Sequence, residues 1–331
     1  MFTPAYKLTI GGQVVDTTDE PQASTLVELC VSLNIGAPAD SFKLVMGNVG
    51  SFRPAREDEV KIELGYADQG GMTLVMTGTV ERIEPNLTTT RVIGYGGEMK
   101  MLRTFHDQTY EQMKAGAIVR DLAGKAGTEV AQADDGISFP VYVVEGRRSV
   151  YAHMLDVAEF CGFDLYLTPE DRVVFEKFFN GKAVHLFEYG KHLIALDVRR
   201  TPPSAEQVQV WGESPTGSKG NDAAAWLTTD FSDSKGVAGA GSTLLLERPA
   251  LRTTKAASTA AKAALTAIQR RTLRGELLSL GRPEVKLGDA LRLTGMADNS
   301  LNTDFQVRTV THRIIKTGGF VTRIGFQIIQ V

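Results

Sequence analysis

The residues able to do chemistry are few and badly spaced for it. Five histidines are present: His106, His153, His185, His192 and His312. None falls in an HExxH, an HxH or a Cys/His pattern suited to zinc. His153 and Asp156 share one face of an expected helix near Cys161, where a nucleophile and a base could meet. Nothing brackets them as an oxyanion site, so they read as a surface pair beside a core cysteine. His312 falls within a strand and reads as a half-buried sheet residue. The run Gly236-Val237-Ala238-Gly239-Ala240-Gly241 matches a phosphate loop in glycine count alone, because a dinucleotide loop joins a strand to a helix. Asp134-Asp135-Gly136 lacks calcium-loop spacing. Glu57 with Asp58-Glu59, and Glu170 with Asp171, read as turn residues on a solvated surface. A glycosidase pair stays open, since its two members can lie far apart in the chain. No catalytic, cofactor-binding or metal-ligating residue is assigned, and no cofactor is expected.

Composition narrows the class further. A chain of 331 residues with 43% hydrophobic residues has room for two or three domains and a sizeable core. Lys+Arg 36 against Asp+Glu 39 leaves a net charge of −3, which argues against nucleic acid as a partner. The densest basic stretches, Arg252–Lys255 and Arg270–Arg274, read as solvated helix ends. Cys30 and Cys161 sit among apolar neighbours and read as small buried hydrophobes, consistent with folding in a reducing compartment. MFTPAYKLTI is not a secretion signal, and no apolar run approaches the roughly 20 residues of a membrane span.

The elements are mostly strands. Tyr6–Ile10, Gln13–Asp16, an alternating run from Thr25 to Ile35, Phe42–Met46, Val60–Tyr66, Met72–Ile83 and Thr88–Tyr95 follow one another through Gly, Pro and Asp turns. With no helix expected between them, they read as a barrel or sandwich ending near His106. Ala115–Ala126 has helical spacing with Gly127 as a left-handed cap. Phe139–Val144 is extended, and Ser149 caps a second helix that ends at Gly162. A hairpin through Thr168–Asp171 joins Phe163–Leu167 to Arg172–Phe178. Strands return at Ala183–Phe187, Leu193–Arg200 and Gln207–Trp211. Residues 212–242 read as an exposed, mobile loop, and the alanine-rich stretch 253–271 as a long helix. The last sixth holds Leu277–Leu280, Val285–Leu287 leading through Gly288-Asp289 into Ala290–Leu293, then Phe305–Ile315 and Phe320–Val331 about a Gly318-Gly319 turn.

The expected fold is therefore mainly β with an α+β insert. Two antiparallel β-barrel domains, 1–106 and 183–331, flank a small helix-plus-hairpin module, 107–182. One long helix lies in the second β domain. The two β domains could be a diverged duplication, which one sequence alone leaves open.

Three stretches carry a resemblance. They are GRRSVYAHMLDVAEFCGFDLYLTPEDRVVFEKF (Gly146–Phe178), AIVRDLAGKAGTEV (Ala117–Val130), and LRGELLSLGRPEVKLGDALRLTG (Leu273–Gly295) followed by FQVRTVTHRI. Ser149, Leu155, Ala158, Gly162, Tyr166 and Val174 fit one segment pattern, and Gly281, Pro283, Leu287, Gly288, Asp289, Leu291 and Gly295 fit a hairpin pattern. In this order the chain resembles, from about residue 5 to its end, the tail-hub proteins of contractile injection machines. These are the phage late control protein D family and the hub portion of type VI secretion spike proteins.

The resemblance implies two tube-like β domains in a homotrimeric structural hub without enzyme activity. Such a hub adapts a hexameric tail tube to a trimeric spike, here expected to be a separate protein. The implied partners are further copies of the chain, the tail tube protein, the spike and other baseplate proteins. The implied place is a virion tail baseplate or an equivalent injection particle assembled in the bacterial cytoplasm. Two alternatives stand beside it. A tail-associated peptidoglycan hydrolase would need a carboxylate or zinc site. A carbohydrate-binding module would need Trp211, Trp226 and Phe231 to line a groove. Those three aromatics otherwise read as core or partner-interface residues.

Overall fold

Alternating apolar residues turn most of the chain into strands. The computed structural model describes residues 3–19, 25–48, 53–178, 183–212 and 235–329, and it is mainly β. The first lobe contains β1 (Pro4–Ile10), β2 (Gln13–Asp16), β3 (Leu26–Asn34), β4 (Ser41–Gly47), β5 (Glu59–Tyr66), β6 (Met72–Pro85) and β7 (Thr89–Tyr95). A module follows: α1 (Glu98–Arg103), β8 (Gln108–Lys114), α2 (Ala115–Lys125), β9 (Val130–Ala133), β10 (Ser138–Val144), α3 (Val150–Cys161), β11 (Asp164–Leu167) and β12 (Val173–Glu176). Next come β13 (Val184–Glu188), β14 (Leu193–Arg200), β15 (Gln207–Trp211), β16 (Lys235–Gly239), β17 (Thr243–Glu247) and α4 (Thr254–Arg270). The chain closes with β18 (Leu273–Leu280), β19 (Ala290–Thr294), β20 (Asp304–Ile315) and β21 (Gly319–Ile328).

Among the described residues, 13 strands join one sheet, ordered β14-β18-β21-β20-β3-β4-β7-β6-β5-β1-β2, with β19 beside β20 and β13 beside β19. The two β lobes are thus fused edge to edge where β3 pairs antiparallel with β20. A single apolar core runs beneath both. Leu8, Leu29 and Leu44 of the first lobe share it with Phe187, Phe305 and Phe326 of the second.

The second lobe repeats six of the seven strands of the first. In chain order β1, β3, β4, β5, β6 and β7 answer to β13, β14, β18, β19, β20 and β21, and their places in the sheet agree: β3-β4-β7-β6-β5-β1 against β14-β18-β21-β20-β19-β13. One row of paired residues runs Leu29, Leu44, Val92, Ile83, and its counterpart runs Leu196, Leu277, Ile324, Val310. Counted from that row, the bulges coincide as well. Val27 in β3 and Ile194 in β14 are extra residues at the same place, as are Glu81 in β6 and Arg308 in β20. A bulge leaves one residue out of the ladder and re-aims its side chain, so shared bulges are shared shape. The repeats also differ: β2 has no counterpart in the second lobe, and β6 carries a further bulge at Val75 against β5. β13 lies parallel to β19 where β1 lies antiparallel to β5, and the second lobe carries β15–β17 and α4 between its β14 and β18.

That inserted segment packs with the module. Val208, Val210 and the α4 alanines 256, 257, 260 and 261 share a core with Ile118, Leu122, Met154 and Phe175. Small residues make the approach possible. A Cβ on Gly236 would stand 2.1 Å from the Ala257 backbone carbon, so α4 rests directly on β16.

Several local expectations meet differences here. The strand β16 occupies part of the stretch read as a loop, and most of the remainder, 213–234, lies outside the described residues. The helix α1 and the strands β8 and β9 were not expected, and α1 follows the β7 end of the first lobe directly. Val27 does not join the buried face of β3, because the bulge turns it outward. Cys30 is only half-buried, whereas Cys161 is buried. The expected caps hold. Ser149 accepts a hydrogen bond from the Ala152 amide at 3.3 Å, and Gly162 takes a left-handed φ of 68°.

Candidate functional site

The side chains with chemical potential are committed to structural contacts. His153 is buried rather than at the surface. Its Nε2 lies 3.1 Å from the Glu145 carbonyl, while Asp156 receives the Arg148 guanidinium at 2.6 Å. Burial pushes the Cys161 thiol up to about 11, and its Sγ accepts the Ile137 amide, so no thiolate forms near neutral pH. His312 is fully buried instead of half-buried. Its Nδ1 lies 3.0 Å from Thr322 Oγ1, and burial holds its pKa down at about 3. Among the described residues, no group of three His, Cys, Asp or Glu side chains could hold a metal ion, and no helix is long and apolar enough to cross a membrane.

The geometry instead concentrates polar side chains where the module meets the two lobes, and the shared bulges aim two of them. Glu81, the bulge residue of the first lobe, receives Arg103 of α1 at 3.0 Å. Arg308, its counterpart in the second lobe, forms an ion pair with Asp164 of β11. Asp164 also accepts from Gln306 Nε2 at 2.5 Å, and Gln306 in turn accepts from Gln327. The module therefore sits across two equivalent corners of a repeated sheet.

Beside the first of these corners lies a buried acidic group. Asp40 precedes β4 and accepts the Asn34 amide at 2.8 Å. Asp171, in the turn between β11 and β12, accepts the Gly97 amide at 2.7 Å with φ at 64°. Glu98 opens α1, is 4% exposed, and one of its oxygens meets no hydrogen-bond donor among the described residues. A cavity of about 200 Å³, lined by Asp40, Asp171, Tyr166, Lys286 and Leu287, opens where module and both lobes meet. The turn position of Asp171 predicts a solvated carboxylate, but packing of its hairpin against Gly97 leaves it half-buried.

Desolvation raises all three carboxyls: Asp40 to about 7 and Glu98 well above its ordinary value, both helped by neighbouring carboxylates, and Asp171 upward by desolvation alone despite the Gly97 amide and Lys100. A folded pKa above the unfolded one stabilises fully below the unfolded value, and the contribution is lost as pH rises through the folded value. For Asp40 the loss spans its ordinary 3.8 up to about 7. Glu98→Gln, which cannot ionise, is therefore expected to gain on the parent protein as pH rises. The gain is about 1.4 kcal/mol per pH unit over the range in which Glu98 keeps its proton in the folded protein and loses it in the unfolded chain. Thermal unfolding of both proteins between about pH 5 and 8 checks it, and a constant gap would contradict the assignment.

Of the three expected interface aromatics, Trp211 is part-buried on β15, with the Lys235 ammonium 5.4 Å above its ring. Trp226 and Phe231 lie outside the described residues.

No protein-family model and no curated protein sequence matches the chain. Solved structures do. The 43 kDa tail protein of prophage MuSo2 from Shewanella oneidensis superposes with a TM-score of 0.75 at 13% identity, covering 98% of each chain. A tail protein from Neisseria meningitidis gives 0.73 at 11% identity over 99% of this chain and 97% of that one. The chain has the fold of phage tail proteins. The same fold reaches an E. coli component of the type VI secretion system, itself described as similar to the T4 tail proteins gp27 and gp5. That structure has a TM-score of 0.61 and 8% identity, with 97% of this chain and 76% of the other covered.

Proposed function

We propose that the chain is the structural hub of a contractile-tail baseplate, a homotrimer that adapts a hexameric tail tube to a separate trimeric spike. The observation that carries this reading is the repeat of six strands in the same sheet order, with two bulges at matching places. Three copies of two equivalent lobes present six similar positions around a threefold axis, which is the match a sixfold tube requires. The likeness to two tail proteins and to a type VI secretion component supports the tail setting.

In this reading residues 1–106 and 183–331 are the two tube-like β domains, and 107–182, whose core also takes in α1 from the end of the first, is the module that holds them at a fixed angle. The module also carries β15–β17 and α4 on its own core. Tube, spike and neighbouring baseplate proteins are the partners, and Trp211 belongs to a partner-facing surface. The hub works by shape, in a virion baseplate or an equivalent injection particle, and catalyses nothing. Native mass of the purified protein tests the reading. The expected species is a trimer of about 108 kDa, three times the 35.9 kDa chain. A strict monomer that binds neither tube nor spike protein would contradict it.

A further inference from the structure

Among the described residues, two strand flanks are left open in the sheet, and they are the counterparts of a seam already closed inside the chain. Past its bulge, β20 pairs with β21 on one side and with β3 on the other, from Thr309 opposite Asn34 to Ile315 opposite Glu28. The Ile35 amide extends that seam by donating to the Arg308 carbonyl at 3.1 Å. The counterpart of β20 is β6, whose residues beyond the bulge, from Arg82 to Pro85, pair with β7 alone. The counterpart of β3 is β14, which pairs with β18 alone. Each chain thus holds one closed seam and both halves of a second that it cannot close by itself.

We propose that β14 of one copy adds antiparallel to the segment Arg82–Pro85 of β6 in a second copy of this chain, rebuilding the β3–β20 seam between copies. The within-chain register fixes the contact. Ile83 stands where Val310 stands, and Leu196 where Leu29 stands. Thr311 opposite Ser32 therefore becomes Glu84 opposite Arg199, and Thr309 opposite Asn34 becomes Arg82 opposite Thr201. Glu84 and Arg199 carry opposite charge, which favours a cross-strand pair and penalises a register slip. Among the described residues of one chain these side chains have local, solvent-facing partners: Arg91 and Arg82 for Glu84, Asp197 for Arg199. Main-chain pairing satisfies an edge that would otherwise be an aggregation hazard, with Ile194 55% exposed on it. The contact joins different surfaces on the two copies, so it propagates head to tail and needs a closed ring to end. Closure after three copies rests on the hub reading; the seam itself rests on the repeat.

The test uses the full chain carrying Cys30→Ser, with Glu84→Cys and Arg199→Cys introduced together. Directly opposite residues have Cβ atoms about 4.5–5.5 Å apart, close enough for a disulfide after small adjustment. Mild oxidation is expected to give covalent trimers that reducing agent dissolves. The pair Glu84→Cys with Arg200→Cys, whose second member faces the other side of β14, should give at least tenfold fewer. A trimer by native mass that forms no disulfide with the first pair, or equal yields from both pairs, would overturn the seam and leave the ring reading standing. A monomer by native mass would overturn the ring reading together with it.

Discussion

Phe305→Ala is expected to remove about 3–5 kcal/mol of stability, the usual range for emptying a fully buried aromatic site. Phe305 is 0% exposed and meets Phe326 edge-on, with ring centroids 4.8 Å apart and planes at 60°. It lies near the start of β20, between Leu291 of β19 and Ile328 of β21, and its side chain belongs to the core that both lobes share. Because one core runs beneath both lobes, the loss should appear as one earlier transition rather than as two. Urea unfolding followed by tyrosine and tryptophan fluorescence and by far-ultraviolet dichroism would show it. A first lobe that keeps its parental midpoint would contradict the shared core.

The second large effect is expected at Asp164. Asp164→Ala strips the partner from Arg308 and the acceptor from Gln306, which is itself 0% exposed. Leaving a largely buried cation and amide without an acceptor costs about 2–4 kcal/mol, less than a wholly buried pair because Arg308 keeps some contact with water. The damage should be local. Amides of β11 and β12 lose hydrogen-exchange protection at the module's seat on the second lobe, while β3 to β7 keep theirs. Arg308→Met restored beside Asp164→Leu would recover much of the loss, since a well-packed apolar pair can replace an ion pair. Equal loss across the whole sheet would contradict a seating role for this contact.

Much of the fold could be read directly from residue types. Alternation marked the faces of β5, β20 and β21, and Phe320, Thr322, Ile324 and Phe326 are all buried on one side of β21. Caps were equally plain, because Ser149, Gly127 and Gly162 act through their own backbone neighbourhood. Pairing was not legible. A period of two says which way a side chain faces but not which strand lies alongside, so the β3–β20 seam was invisible. Bulges were hidden for the same reason: Val27 continues the apolar alternation and only a partner strand makes it the extra residue. The repeat itself is a fact of pairing, and it emerged only when rows of partners could be compared.

Burial of charge was the other silent feature. Glu98 and Asp171 are residue types that usually remain in water, and Asp171 sits in a turn, so local reasoning placed it at the surface. Tertiary packing of α1 against the β11–β12 hairpin decided otherwise. Glycine misled in a similar way. Gly236 and Gly239 lower strand propensity, which favoured a loop, yet the close approach of α4 to β16 requires a glycine there. Of the candidate interface, Trp211 could be named from its type. The open flanks of β6 and β14 could not, because an edge exists only relative to a finished sheet.

The central claim is that each chain contributes two equivalent lobes to one closed ring. Electron microscopy of the purified oligomer tests it most directly. The predicted image along the axis is a threefold ring of six similar lobes around an open lumen, with β14 of each chain against β6 of the next. A monomer, or a twofold dimer in which β14 meets β14, would contradict it.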